Sequence, residues 1–528
     1  AAGYFDEMIF YGPHLKEVIE GNWINDDTDL AEYANRPSLL PVLPPIILRL
    51  IFFFTNSVSA IFVWNDLLLP PISFFIIYLL GYQISKDKLY SLFFSFAVVG
   101  ISIIGDVLPL EKLWLSGWEE FIKFAQPMYI ARTYNYALTF IGFALSMLFL
   151  HRLLTSGRTR DKIAAAISCG LLIHLHYFYG VYIGMALVFL VIMLFIKKDY
   201  ARTNDIIHIL IAMAVMAIPY IIQMTRVRMA YPYWFEIAVR LETDVGRHIY
   251  LNIYKHYLLY IFLAGLLIFI GKKIAGKINT ALLFASLLLA GLIGLNLQVI
   301  MGYSLMPNHW LRTNVFGLKF ALLALFFWLK DFFPLLKRFF HPLVFSGLIF
   351  FIVLSITNQV AYGLNNYELF TIPKNIANSF NWLKKNTPKN SVVMTPSLVT
   401  NNYLPVYTSN KIFMGSGYRS IAPNSELEER TLLAFKIFNV DTQYLADSLD
   451  PKNLYGDVKT IPRKMGFGYT PSLIEYIYNN QFINISLDPR YNKPPMPTTI
   501  KDRLVKTYSE IDADLATIQQ KYQIDYFD

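Results

Sequence analysis

Long apolar runs separated by short polar loops dominate residues 58–362 of the chain. A transmembrane helix needs about 20 apolar residues, and somewhat fewer where it packs among neighbouring helices. The pattern therefore predicts a polytopic α-helical membrane domain with about ten spans. The candidate segments are Val58–Gln83, Leu89–Gly105, Tyr134–Leu150, Ile163–Ile196, Asp205–Met224, Tyr257–Ile270, Thr280–Met301, Val315–Leu329 and Leu343–Tyr362.

The run Ile163–Ile196 is long enough to cross the membrane twice. Both of its flanks are rich in Lys and Arg, and cytoplasmic loops concentrate these residues. Its polar and aromatic interruption, His174–Gly180, is therefore predicted to be a tight turn on the outer side. Alternation from this point places the loops around Lys86, Lys277 and Lys337 inside, and it places the segments before Arg36 and after Tyr362 outside. These basic inner-loop residues are Lys86, Lys88, Arg152, Arg158, Arg160, Lys162, Lys197, Lys198, Arg202, Lys272, Lys273, Lys277, Lys330, Lys337 and Arg338.

Residues 1–57 are predicted to form a first outside loop with interface helices. Within them Leu39–Phe54 is short for a span and contains three prolines and Arg49, which favours a helix lying on the membrane surface. An outside loop without a signal sequence needs a preceding span for export, so we expect an upstream helix. The localisation that follows is the plasma (inner) membrane, with the N-terminal loop and the C-terminal domain extracytoplasmic.

Charged residues return after Asn365, which predicts an extramembrane domain over residues 363–528. A helix is expected between Thr371, as its cap, and Pro388, followed by short strands at Ser391–Met394 and Lys411–Met414. Leu398–Tyr407 and Glu426–Phe438 have helical patterns, and strands that alternate with helices indicate an α/β domain with a parallel sheet. The chain ends on a predicted strand, so we expect further sequence beyond Asp528.

Composition excludes an ordinary soluble enzyme. Of 528 residues, 55% are hydrophobic and 16% are charged, against about a quarter charged in soluble domains. The formal net charge is +9, but the basic residues lie mostly in short loops, so no nucleic-acid partner is expected. A single cysteine, Cys169, excludes an intrachain disulfide and a cysteine-based metal site.

Two adjacent carboxylates, Asp6 and Glu7, lie in the first outside loop, followed by Arg36-Pro37 and by the proline cluster of the interface segment. With the many spans and the outside α/β tail, this layout resembles the GT-C superfamily of polytopic glycosyltransferases, which includes protein O-mannosyltransferases, lipid A aminoarabinose transferases and oligosaccharyltransferase subunits. The tail, with Trp382–Pro388, Leu404–Thr408 and Glu428–Arg430, looks like that of uncharacterised bacterial or archaeal members.

The resemblance implies transfer of a sugar, with inversion, from a polyprenyl-phosphate donor in the membrane lipid to an acceptor hydroxyl of a glycan, lipid or protein. Glycosyl transfer needs a base for the acceptor proton, and a carboxylate at a dry interface has a pKa raised toward the working pH. We therefore predict Asp6 as the base and Glu7 as its orienting neighbour. Family members often have a second acidic residue in the next outside loop, where this chain has Asn135, with Asp106, Glu119 and Glu120 as substitutes.

One outside loop, Thr225–His256, is rich in arginine against the charge rule. Either it is a long loop whose arginines pair with Glu236, Glu242 and Asp244, or it binds a donor phosphate. Histidines at the outer rim are candidates for substrate contact, and His309 with Arg312 for phosphate or sugar contact. The predicted donor-phosphate residues are Arg226, Arg228, Arg240, Arg247, His309 and Arg312, and the predicted substrate contacts are His174 and His176.

Asp27 and Asp29 form a D-x-D pair in the first outside loop, which is either a solvated turn or a site for Mg²⁺ or Mn²⁺. No cofactor is certain from the sequence. Gly415-Ser416-Gly417 lacks the third glycine and the lysine of nucleotide motifs, so it is interpreted as a turn.

The main alternative function is a transporter or flippase of lipid-linked glycans, which predicts internal repeats and charges at mid-span. The sequence has no visible repeat, and Lys319 lies close to the end of its predicted span. A membrane anchor that presents the tail as a binding module would need only one or two spans.

Overall fold

A computed structural model describes residues 5–23, 27–34, 36–37, 40–100, 137–241, 243–365, 371–450, 472–482 and 496–527. These residues pack into two compact units. The helical unit comprises the described residues of Phe62–Ile222 and Val245–Asn365, and the α/β unit comprises those of Phe5–Ile61, Gln223–Asp244 and Asn366–Asp528. The predicted tail domain, residues 363–528, thus forms one unit together with most of the first outside loop and with a segment of the arginine-rich loop.

The helices and strands are numbered in chain order. The elements are α1 Phe5–Ile19, α2 Leu43–Ile51, α3 Val58–Ser85, α4 Lys88–Ser95, α5 Leu138–Ser156, α6 Thr159–Leu175, α7 Tyr177–Ile196, α8 Tyr200–Ala230, α9 Trp234–Arg240, β1 Thr243–Val245, α10 Tyr254–Lys273, α11 Ile278–Leu295, α12 Leu297–Met301, β2 Tyr303–Leu305, α13 Pro307–Leu329, α14 Pro334–Asn365, α15 Lys374–Asn386, β3 Val392–Met394, α16 Leu398–Tyr407, β4 Lys411–Ile412, α17 Asn424–Ile437, α18 Thr442–Ser448, α19 Leu473–Tyr478, α20 Thr498–Glu510, α21 Leu515–Lys521 and β5 Tyr526–Phe527.

Seven helices in the described part of the chain are long and apolar enough to cross a membrane. The chain is therefore a polytopic helical membrane protein. Three further predicted spans correspond to shorter helices, namely α4 with the π-helical turn Phe96–Gly100, α6 and α11. The count of ten spans stays a prediction. The seven segments are Val58–Ser85, Leu138–Ser156, Tyr177–Ile196, Tyr200–Ala230, Leu251–Lys273, His309–Leu329 and Pro334–Leu364.

The predicted hairpin within Ile163–Ile196 is confirmed, since α6 ends at Leu175 and α7 begins at Tyr177. His176 between them has an extended backbone, with φ −161° and ψ 116°. Gly180 lets the two helices approach closely, because a Cβ at this position would lie 2.8 Å from the backbone of Ile173. Any larger residue there would force the hairpin apart.

The loops that the sequence predicts to be cytoplasmic share one face of the helical unit. Lys277 Nζ, before α11, donates to the Ile84 carbonyl at the end of α3, at 2.7 Å. Asn279 Nδ2 donates to the Leu154 carbonyl near the end of α5, at 2.8 Å, and Lys197 Nζ, after α7, donates to Asn279 Oδ1 at 2.6 Å. The ends of α3, α5 and α7 and the start of α11 therefore meet, as the alternation of spans requires.

Lys319 lies deeper than the sequence predicts. The predicted span begins at Val315, but α13 begins at Pro307 because the short outer loop continues the helix. Lys319 is consequently in the middle of α13, where it is 6% exposed and donates to the Val98 carbonyl of the π-helical turn at 3.1 Å. The expectation that Lys319 lies close to a span end is wrong.

The α/β unit contains a three-stranded parallel sheet with the order β4-β3-β5. Val392 aligns with Lys411 of β4, and Val393 aligns with Tyr526 of β5. The β3–α16–β4 segment is the strand–helix–strand crossover that parallel neighbours need. The alternating pattern, α15, α16, α17 and the terminal strand are confirmed. One detail is wrong: Pro373 rather than Thr371 precedes the first turn of α15.

Segments from outside the tail complete the core of the α/β unit. Ile9 of α1 packs with Phe380, Val393 and Tyr418, and α1 also packs against α2 and α16. The predicted interface segment contains α2, which starts with Pro44 and Pro45 in its first turn. Its end leaves large apolar side chains exposed, as a helix on a membrane surface requires. These are Leu50, Ile51, Phe53 and Phe54.

Candidate functional site

Asp6 and Glu7 belong to the first turn of α1. The side chains of residues 5–7 lie outside the described part of the structure, as do Asp106, Glu119, Glu120 and Asn135 of the second outside loop. The roles predicted for these residues stay predictions. Further along α1, Gly12 lies against Val406, where a Cβ would come within 3.1 Å of the valine side chain. Lys16, one turn later, faces a cavity.

This cavity, which we call the interface pocket, has a volume of about 490 Å³ and is open to solvent on one side. It lies within the α/β unit, between α15 and the loop that joins α2 to α3. One wall is apolar, since the Phe380 and Tyr407 rings are stacked 5.7 Å apart with 15° between their planes. The residues that supply the polar part of the lining are Lys16, Thr55, Asn56, Ser57, Ser59, Asn381, Lys384 and Tyr407.

Local structure fixes the polar side of the pocket. Thr55 Oγ1 accepts from the backbone N–H of Ser57 at 3.2 Å, and Ser57 Oγ accepts from the N–H of Ala60 at 3.3 Å, which caps α3. Ser59 Oγ lies 3.5 Å from the Tyr407 hydroxyl, and burial raises the pKa of Tyr407. A capped helix N-terminus and two lysines face a stacked aromatic wall, which suits a ligand with a negative group and an apolar face.

One face of α15 lines this pocket, and the spacing of that face is visible in the sequence. Ala377, Phe380, Asn381 and Lys384 line it, and they follow the i, i+3, i+4, i+7 pattern of one helix face. The sequence alone gives no binding role to Lys384, Lys16 or Asn56, because nothing in the chain shows that residues 55–59 meet α15.

The D-x-D pair lies in a buried polar centre of the α/β unit. Asp29 Oδ1 pairs with Arg419 Nε at 2.7 Å, and Asp29 Oδ2 accepts from the Ser416 backbone N–H and hydroxyl, both at 2.9 Å. Arg419 also donates from one amino nitrogen to the carbonyls of Ile9 and Asn402, at 2.8 and 2.9 Å. Asp29 is 0% exposed.

Asp27 is bonded in the same way. Its Oδ2 accepts from Ser420 Oγ at 2.8 Å and from the Ile421 N–H at 2.9 Å, and its Oδ1 accepts from the N–H groups of Asp29 and Leu30. A metal would have to displace these protein donors. The described residues also contain no group of three His, Cys, Asp or Glu that would hold a metal ion. We therefore correct both the metal-site and the solvated-turn interpretations and assign the pair a structural role.

The Gly415-Ser416-Gly417 turn serves this centre. A Cβ at Gly417 would lie 2.1 Å from the Ile477 carbonyl oxygen, so close packing requires glycine at this position. A Cβ at Gly415 would lie 3.0 Å from the Leu30 side chain, which would have to shift to admit it.

Two titratable groups in this centre are shifted by burial. Burial, and then the charge of Asp29, raise the pKa of Asp27 to about 6. His14 of α1 is 2% exposed, and neither of its ring nitrogens has a hydrogen-bond partner among the described residues. Burial, and then the charge of Arg419, lower the pKa of His14 to about 3. His14 is therefore neutral at pH 7.

The predicted phosphate-binding arginines differ in access. Arg226 and Arg228 are exposed on the last turns of α8, where Arg228 lies 5.1 Å from the Trp234 ring centre. Arg240 is 0% exposed and donates to the carbonyls of Ser420 and Ala422 at 3.0 and 2.9 Å. Its assignment to a donor phosphate is corrected, because a side chain buried this way has no access to a ligand.

Arg247 belongs to the helical unit, where it donates to the carbonyls of Val299 and Ile300 at 2.8 and 2.9 Å. It thereby satisfies carbonyl groups of α12. Arg247 is exposed, as Arg226 is, but one of its guanidinium nitrogens is already bonded to these two carbonyls, which leaves less of it for a phosphate.

The outer histidines partly come together in the helical unit. The His176 and His309 rings are stacked with centres 6.3 Å apart and 7° between their planes, and Phe178 lies 5.0 Å from His309. His174 instead donates from Nε2 to the Met216 carbonyl at 2.6 Å. Arg312 follows His309 by one turn on α13 and is half-buried. The structure thus groups His176 with His309 in an aromatic cluster and directs His174 to α8.

No protein-family model matches this chain, and no curated protein matches it significantly.

Proposed function

We propose that the protein is a membrane glycosyltransferase that moves a sugar from a polyprenyl-phosphate-linked donor to an acceptor hydroxyl on the outer side of the membrane. The interface pocket is the main observation that supports this proposal. It lies within the α/β unit that carries Asp6 and Glu7, and the first residues of α3, a helix long and apolar enough to cross a membrane, line it. A lipid-linked substrate presents its polar headgroup at the ends of membrane-crossing helices.

The lining of the pocket suits a phosphorylated saccharide. Sugar rings have an apolar C–H face and a polar edge, and the pocket opposes the stacked Phe380 and Tyr407 rings to amides and hydroxyls. Phosphate groups favour ammonium groups and capped helix N-termini, which Lys384 and the Ser57 end of α3 supply. Lys16 is less available, because it pairs with Glu20.

The pocket and the proposed base are assigned to opposite sides of the anomeric carbon, the pocket to the phosphate side and Asp6 to the acceptor side. In the proposed reaction Asp6 takes the acceptor proton while the acceptor oxygen bonds to the anomeric carbon. The bond from that carbon to the phosphate oxygen breaks, and the lipid phosphate leaves with both electrons. Glu7 orients the acceptor, and Arg226 and Arg228 stabilise the leaving phosphate.

The test is transfer of labelled sugar from a panel of polyprenyl-phosphate sugars by the full chain in membranes. We expect Asp6→Asn to lower kcat at least about 100-fold, because the base is lost. Lys384→Ala should raise KM about tenfold, and kcat should fall as well, because the phosphate that Lys384 is proposed to hold leaves from the reacting carbon. Lys385→Ala is the matched control, because Lys385 is an exposed neighbour on α15 that does not line the pocket.

Full activity of Asp6→Asn would remove Asp6 from the mechanism. Equal effects of Lys384→Ala and Lys385→Ala would remove the interface pocket from substrate binding. An absence of transfer from every donor would contradict the glycosyltransferase proposal as a whole.

Lys319 favours a second candidate, a transporter or flippase of lipid-linked glycans. A buried ionisable side chain in the middle of a span is expensive and marks a functional position in many transporters. On this alternative, Lys319→Met abolishes flipping of a fluorescent lipid-linked sugar in proteoliposomes. On the glycosyltransferase proposal, the same variant keeps sugar transfer.

A further inference from the structure

A second cavity, the inner pocket, lies within the helical unit on the face shared by the loops that are predicted to be cytoplasmic. Its volume is about 360 Å³, and it is formed by the ends of α3 and α5 and the starts of α6 and α11. This pocket shares no residue with the interface pocket. The residues around it are Gln83, Lys86, His151, Arg152, Thr155, Ser156, Arg158, Asp161, Gly276, Lys277 and Thr280.

The charges around the inner pocket do not balance. Four side chains are cationic, namely Lys86, Arg152, Arg158 and Lys277, and one is a carboxylate, Asp161, which leaves an excess of three positive charges. Asp161 already accepts from Ser156 Oγ at 3.0 Å, and Arg152 Nε is 3.9 Å from it. An anion in the cavity would reduce this repulsion.

Backbone geometry adds to the positive potential. Arg158 precedes the first residue of α6, and Lys277 precedes the first residue of α11, so two helix N-termini lie at the wall of the pocket. Burial, and then the charge of Lys86, lower the pKa of Lys277. The cationic side chains therefore act on the same small volume.

Lys86 is in a backbone conformation that favours glycine. Its φ is 60°, and its N–H donates to the Tyr82 carbonyl at 2.8 Å, which ends α3. A lysine in this conformation costs more than glycine would. Lys86→Gly therefore removes the charge without straining the turn.

We propose that the inner pocket binds the phosphate of an anionic phospholipid headgroup. The cavity lies at the ends of membrane-crossing helices, where phospholipid phosphates are concentrated, and basic pockets between span ends on the cytoplasmic side are typical sites for such headgroups. A free phosphate compound offers the same chemistry, and the experiment distinguishes the two sources.

The test uses the full chain in neutral detergent and follows thermal stability during titration with short-chain phosphatidylglycerol, phosphatidylcholine or inorganic phosphate. We expect saturable stabilisation by phosphatidylglycerol, with apparent affinity at least about tenfold higher than for the other two probes. Lys86→Gly with Lys277→Gln should weaken it at least about tenfold. Lys272→Gln with Lys273→Gln is the control, since both are exposed and neither lines the pocket.

Equal weakening by both double variants would overturn the proposal, because the basic face as a whole would then be responsible. Inorganic phosphate binding as tightly as phosphatidylglycerol would overturn the lipid as the ligand. If the double variant does not fold, Arg158→Gln serves in its place, because Arg158 is exposed. It should weaken phosphatidylglycerol binding about threefold, and unchanged binding would contradict the site.

Discussion

The helical unit and the α/β unit bury polar groups by different means. In the described part of the helical unit, several buried donors use helix carbonyls: Tyr182 Oη donates to Leu287 at 3.0 Å and Asn314 Nδ2 to Gly291 at 3.0 Å. In the α/β unit the buried centre is ionic, with Asp29 and Arg419 in direct contact.

The reason for this difference is the state of the backbone. Helix N–H groups are already bonded, while each carbonyl keeps a second lone pair, so a donor side chain can add to a helix without disrupting it. Loops at the edge of a parallel sheet have free N–H groups instead, and only acceptors satisfy them. Asp27 and Asp29 accept from four such N–H groups, at Asp29, Leu30, Ser416 and Ile421.

The largest expected effect comes from breaking the ionic centre. Arg419→Met leaves Asp29 buried without its cation, so we expect the α/β unit to lose about 3–5 kcal/mol of stability. Limited proteolysis and thermal unfolding measure this loss. Lys521→Met, which removes an exposed partner of Glu429, is the control and should cost less than about 1 kcal/mol. A loss of less than about 1 kcal/mol for Arg419→Met would show that the Asp29–Arg419 pair does not stabilise the centre.

A smaller effect is expected from His14, a group of this centre that titrates below neutral pH. Its folded pKa, about 3, is below its unfolded value of 6.5. Stability from neutral His14 is therefore present above pH 6.5 and falls as the pH decreases toward 3. Between pH 7 and pH 5, wild type should therefore lose about 2 kcal/mol more stability than His14→Leu does.

The contribution of Asp27 to stability has the opposite pH dependence. Its raised pKa, about 6, means that its contribution is present below its unfolded value, 3.8, and is lost as the pH rises through 6. The difference between wild type and His14→Leu isolates the histidine from this opposing change. Exposed His256→Gln is the control. Parallel pH profiles for wild type and His14→Leu would contradict a neutral, buried His14.

The smallest effect is expected from variants that remove one buried hydroxyl from each unit, which compares the helical unit and the α/β unit directly. Tyr182 donates to a helix carbonyl in the helical unit, and Tyr476 donates to the Met414 carbonyl at 2.5 Å in the α/β unit. Tyr182→Phe and Tyr476→Phe should each cost about 1 kcal/mol, because a neutral hydrogen bond has a similar net value in both settings. A difference of several kcal/mol in thermal unfolding would show that the units differ in more than their ionic content.

Hydrophobic pattern predicts the helical unit well, since each span is a local property of the sequence. The hairpin at His176 and the alternation of loops follow from it. Lys319 is misplaced because the outer loop before Val315 has polar residues yet continues the helix. The polar centre of the α/β unit is beyond such reasoning. Asp29 and Arg419 are 390 positions apart and each looks like a surface loop residue.

The interface pocket is tested most directly by binding of a short-chain prenyl-phosphate sugar to purified wild type, Lys384→Ala and Lys385→Ala. Calorimetry should give one saturable site of equal affinity in wild type and Lys385→Ala, and about tenfold weaker binding in Lys384→Ala. Equal affinity in all three proteins would contradict the claim that this pocket holds the phosphorylated headgroup.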